Sequence, residues 1–121
     1  MVDSSAHLIV GAYLADKPKD LLHRFVVSNN LWERRISIIA TLHDIKKSKF
    51  SNALAISEKL LADTHDLIHK AVGWMLREIG NRDLGAEENF LKKHHKIMPR
   101  TMLRYAIEKF PEEKRLRYLA K

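Results

Sequence analysis

Cysteine is absent from the 121 residues. That excludes a disulfide framework, thiolate catalysis and Cys-ligated zinc or iron–sulfur sites. Glycine and proline are scarce, with 4 and 3 residues, and no alternating β-branched run is long enough for a strand. No apolar run approaches ~18 residues, so no membrane span is expected. Residues 1–15 lack the basic start of a signal peptide, which points to a cytoplasmic location. A Gly-rich phosphate loop, a Walker motif, G-x-S-x-G and H-E-x-x-H are all missing.

What is present is one domain's worth of chain, residues 1–121, with an ordinary 45% of hydrophobic residues. The net charge of +7 is unevenly spread. Residues 1–90 hold 12 Lys/Arg and 12 Asp/Glu, whereas residues 91–121 hold 10 Lys/Arg and 3 Asp/Glu. A basic end on a neutral body suits a polyanionic partner; a solvated face that aids solubility is the bland alternative.

Every periodic segment reads as helix. Residues 4–14 are apolar on nearly all sides and suit a buried helix. Asp16–Asp20 breaks the chain at a proline, and a short helix follows over Leu21–Ser28. Asn30 and Glu33 have capping-box spacing, which predicts a helix from Leu31 to Lys47. Ser51 caps Asn52–Leu61, and Thr64 caps His65–Ile79, with Gly80 as its stop. Ala86–His95 comes next, and Pro99 and Pro111 fall in the first turns of two last helices. Segments starting near Leu31, Leu67 and Arg100 recur at a spacing of ~33–36 residues, each followed by a second helix. The expected fold is therefore all-α, a stack of helical hairpins, with a plain bundle as the alternative. The first helix lacks a cover at Met1, so the chain reads as the C-terminal part of a longer array.

Two helices carry residues that break the face rule. Ile68, Val72, Met75, Leu76 and Ile79 form one apolar stripe, with Lys70, Gly73 and Arg77 opposite and Trp74 beside them. On one reading, an indole between two cations, next to a glycine that lets a ligand approach, is a surface for nucleic acid or another anion. The alternative is a packed Trp, with Gly73 permitting tight helix contact. Arg35 is surrounded by Leu31, Ile38, Ile39 and Leu42, so it projects from the apolar side, whereas Arg34 points to solvent. Phosphate or an internal carboxylate would satisfy Arg35. Asp3, before Ser4 and Ser5, reads as a helix N-cap or as a fixed carboxylate able to stabilise positive charge. His65 and His69 share one face, but no third ligand follows, so no metal site is expected. His94 and His95 read as part of the basic face.

The stretches Asn30–Leu42 (NLWERRISIIATL), Thr64–Asp83 (THDLIHKAVGWMLREIGNRD) and Met98–Phe110 (MPRTMLRYAIEKF), with Val2–Asp3 before them, carry a resemblance. The chain resembles the C-terminal half of the DNA alkylation repair family, the AlkD-type alkylpurine DNA glycosylases built from HEAT-like repeats. The resemblance runs over nearly the whole sequence. It implies a curved solenoid with a basic concave face, and excision of N3- and N7-alkylated purines from duplex DNA without metal or cofactor. It also implies roles for individual residues. Asp3 matches the catalytic aspartate that ends W-x-x-V-D, and Trp74 an aromatic at the lesion. Arg35 and Arg77 match arginines of the DNA-binding face, and Lys70 is a further DNA-binding candidate beside them. The family's tryptophan four residues before the aspartate would precede Met1, as would several helices. A missing N-terminal half or second chain is thus an expected partner, and a DNA-binding module without chemistry is the alternative function.

Overall fold

The computed structural model describes residues 26–120, and among them all regular structure is helical. From Leu31 to the end of the described residues seven helices follow in order: α1 (Leu31–Ile39), α2 (Leu42–Lys46), α3 (Ser51–Leu60), α4 (Asp66–Arg82), α5 (Leu84–His94), α6 (Arg100–Ala106) and α7 (Glu112–Leu119). The predicted helix over residues 4–14, the first part of the one over 21–28 and the residue Asp3 lie outside the described residues; of the second helix's end, Val26 is helical and the chain has left the helix by Ser28.

The hairpins form as the spacing predicts. α1 packs on α3, α4 on α5 and α6 on α7. α4 also packs against α1 on one side and α6 on the other, so the first helices of the three hairpins make one layer with α4 in the middle. The fold is all-α, and this stacking is that of a helical repeat. The predicted α4 stripe of Ile68, Val72, Met75, Leu76 and Ile79 is fully buried. It joins Ile38, Ile45, Ile56, Leu60, Leu91, Met102, Leu103 and Ile107 in one continuous core.

The helix boundaries follow from local hydrogen bonding. Asn30 caps α1, its Oδ1 accepting from the backbone N–H of Trp32 at 2.8 Å and of Glu33 at 3.4 Å. The expected reciprocal bond is relayed. Ser28 Oγ accepts from Asn30 N–H at 3.0 Å and donates to Glu33 at 2.6 Å. The single helix expected over Leu31–Lys47 is instead two, α1 and α2, separated at Ala40–Thr41. Thr41 explains the break. Both its hydroxyl, at 2.6 Å, and its N–H, at 3.1 Å, donate to the Ile38 carbonyl, which tightens the turn.

α4 starts one residue later than expected and is capped by His65, whose Nδ1 accepts from Leu67 N–H at 3.2 Å, not by Thr64. It also runs through Gly80 to Arg82. Gly80 has no positive φ, so it cannot form the left-handed stop of a helix end. Asp83 ends α4 and begins α5 in one step. Its N–H donates to Ile79 at 2.8 Å and its Oδ1 accepts from Ala86 N–H at 3.2 Å. That is why α5 starts at Leu84, two residues early. Pro99 and Pro111 sit at the N-cap positions of α6 and α7, just ahead of the first turns.

Candidate functional site: a cationic groove across the first-helix layer

Arg35 from α1, Lys70, Trp74 and Arg77 from α4, and Tyr105 from α6 line one groove of about 250 Å³, with Leu67 and Ala71 completing it. The groove crosses the layer of first helices, so each hairpin contributes. Four residues picked from the sequence thus meet on one surface. The fifth, Asp3, lies outside the described residues.

Trp74 is half-buried and packs against the core with one part of its ring while another lines the groove. Lys70 forms an ion pair with Asp66 one turn earlier at 3.2 Å. The hydrogen bond and charge of Asp66 hold the Lys70 ammonium above its usual range. Arg77 pairs with Glu108, whose side chain is 61% exposed. An exposed ion pair of this kind is worth little and opens readily to a better anion. Arg35 differs from both. It is half-buried, and its Nε is shielded from solvent with no hydrogen-bond partner among the described residues. A guanidinium N–H without a partner among the described residues costs free energy, and the same side chain lines the groove.

The internal carboxylate considered for Arg35 belongs to its neighbour. Arg34, expected in solvent, donates from Nε to Asp63 at 2.7 Å and from a terminal nitrogen to the Ser28 carbonyl at 3.1 Å. One helical position is 100°, and Arg34 shares the side of fully buried Ile38, which faces the turn before α4. Of the two readings of Gly73, tight helix contact is the one the structure has. The residue is buried, and a Cβ there would lie 2.5 Å from Tyr105 Cβ and 2.6 Å from the Met102 carbonyl. The glycine serves close packing of α4 on α6, not ligand approach. The histidines are likewise structural. His69 Nε2 donates to the Asp63 carbonyl at 2.5 Å. His94 packs on Phe90 with ring centres 4.6 Å apart, and His95 meets Tyr118 edge-on at 5.3 Å.

Tyr105 is the groove residue that sequence reasoning missed. It falls beside the buried set Met102, Leu103 and Ala106 on α6 and is 37% exposed. Its position one residue outside that set, in a segment rich in arginine, is the signal that could have found it. Two aromatic rings and three cations thus line one surface, a combination whose chemistry suits anions and stacking bases.

A helical-repeat protein with a cationic, aromatic groove is the class that fold and site define. A family model described as DNA alkylation repair enzyme matches residues 1–110. The chain belongs to that family, and this membership supports a role in DNA alkylation repair. No match is found among curated proteins or among solved structures. No helix among the described residues is long and apolar enough to cross a membrane.

Proposed function

We propose that this protein excises N3- and N7-alkylated purines from duplex DNA by hydrolysis of the N-glycosidic bond. The observation that carries the reading is the shared groove of Arg35, Lys70, Trp74 and Arg77, together with the family.

The chemistry asks for little else. A purine alkylated at N3 or N7 is cationic and already a good leaving group, so no strong general acid is required. The remaining task is to stabilise the oxocarbenium-like sugar as the bond breaks. In this reading the Asp3 carboxylate supplies that charge and orients the attacking water. Trp74 lies against the sugar and the cationic lesion, whose positive charge its ring face attracts. Arg35, Lys70 and Arg77 hold backbone phosphates and give binding a steep salt dependence.

The test pairs two measurements on the same preparation: release of 7-methylguanine from methylated duplex, and affinity for undamaged duplex at several salt concentrations. Asp3→Asn is expected to abolish release while leaving affinity largely intact. Equal release by both forms would contradict the role of Asp3. Salt-dependent binding with no release by the unaltered chain would leave a DNA-holding module in place of the enzyme.

A further inference from the structure

A second cleft of about 220 Å³ adjoins the groove. Arg77 lines both. Lys109 and Lys114 add two further cations to the second cleft's lining, with Gly80 and Phe110. Glu87 of α5, only 1% exposed, also belongs to the lining. Its Oε2 is shielded from solvent and has no hydrogen-bond partner among the described residues.

The sequence makes room for this carboxyl deliberately. A Cβ on Gly80 would stand 2.0 Å from Glu87 Oε1 and 2.9 Å from its carboxyl carbon. The glycine that fails to stop α4 therefore opens the slot that receives the Glu87 head. A buried carboxyl with one oxygen unpartnered among the described residues costs free energy, and an apolar residue would fill the slot more cheaply.

We infer that this cleft is a phosphate-binding subsite, in which Glu87 in its neutral form donates a hydrogen bond to a phosphate oxygen while Arg77, Lys109 and Lys114 balance the charge. Burial pushes the Glu87 carboxyl up to about 8, the charge of Glu88 adds to this, and Arg77 opposes it. The acid is thus a donor at neutral pH and becomes a repelling carboxylate above that value. The charged and titratable groups around it are Arg77 from α4, Glu88 from its own helix, Lys109 from the α6–α7 turn, and Lys114 and Tyr118 from α7. Glu88 is committed elsewhere, to Lys114 and Tyr118, each at 2.8 Å. Glu108, beside the same cleft, is engaged with Arg77.

The phosphate could belong to the DNA backbone leaving the groove past Arg77, or it could be free. The backbone source rests on the function proposed above; the subsite itself does not. The experiment compares Glu87→Gln with the unaltered chain at the same pH, so that any titration of the ligand cancels. Affinity is measured for a short undamaged duplex and, separately, for inorganic phosphate, at about pH 6.5 and about pH 9. At the lower pH the two forms bind alike. At the higher pH the Gln variant, which keeps a neutral donor, binds about three- to tenfold tighter. Lys109→Ala, at an exposed position, weakens binding at both pH values whatever happens to the buried slot. The pattern in the duplex arm assigns the subsite to the backbone. The pattern in the phosphate arm alone assigns it to a free phosphate. A ratio that stays constant with pH in both arms, or Lys109→Ala without effect in both, overturns the inference, and neither result bears on base release.

Discussion

Replacing Gly73 with alanine sets two effects against each other, and the structure decides which wins. A helical glycine costs ~1 kcal/mol relative to alanine, so the backbone alone would gain by the change. The new methyl group would, however, stand 2.5 Å from Tyr105 Cβ, 2.6 Å from the Met102 carbonyl and 3.3 Å from Ala106 N. None of these is the loose end of a flexible side chain. The first is anchored directly to the backbone and the other two are backbone atoms. Relief therefore requires α6 to move away from α4 as a body. Overpacking of this kind costs ~1–3 kcal/mol and occasionally more. With two contacts this short the upper end applies, and the net is a loss of ~2 kcal/mol. Urea unfolding followed by circular dichroism measures it, at constant slope. Gly85→Ala is the internal control, because its Cβ would meet only the Asp83 carboxylate at 3.3 Å. That variant should match or slightly exceed the unaltered chain. A Gly73→Ala protein as stable as the Gly85→Ala one would refute the close packing of α4 on α6.

Other outcomes follow from the same coordinates. Arg34→Ala strands Asp63, whose side chain is 8% exposed, with a backbone N–H from His65 as its remaining partner; the loss should be ~2–3 kcal/mol of stability in thermal or urea unfolding. Arg35→Ala, by contrast, removes a guanidinium whose Nε has no partner among the described residues. It should leave stability within ~0.5 kcal/mol while lowering the salt slope of DNA binding by about one. Glu87 gives a pH signature. Its carboxyl ionises at about 8 when folded against 4.5 as the ordinary value. The folded state therefore holds the proton longer, and stability falls as pH rises through that window, by at most about 1.4 kcal/mol per pH unit. Glu87→Gln should abolish this slope and be the more stable form at neutral pH. A Gln variant that keeps the slope would show that another group causes it.

The sequence was informative where a single helix face decides the outcome. The stripe from Ile68 to Ile79 is buried as its period requires, and the ~33–36-residue recurrence is realised as the layer α1–α4–α6. Trp74 and Arg35 were legible for the same reason, since each breaks a face that its neighbours define. Features that depend on two helices at once were not legible. Gly80 reads as a helix stop until Glu87, on the next helix, is seen to occupy its missing side chain. Gly73 allows either a ligand's approach or tight helix contact until α6 is laid against it. The neighbours Arg34 and Arg35 differ by one position, and only the place of Asp63 in the turn before α4 says which of them is paired. Thr41 ends α1 through a hydroxyl bond to its own helix, a local competition that periodicity does not register.

The central claim is that nucleic acid rests in the groove holding Trp74, and the chain offers an internal comparison for it. It has two tryptophans. Trp74 lines the groove, whereas Trp32, 43% exposed on α1, is not part of it. Each indole N–H gives its own resonance in a nitrogen-labelled sample, so titration with a short duplex reads both at once. The account predicts that the Trp74 resonance shifts or broadens with added duplex, together with the amides of Arg35 and Lys70, while Trp32 stays in place. Movement of Trp32 with Trp74 unchanged would contradict it.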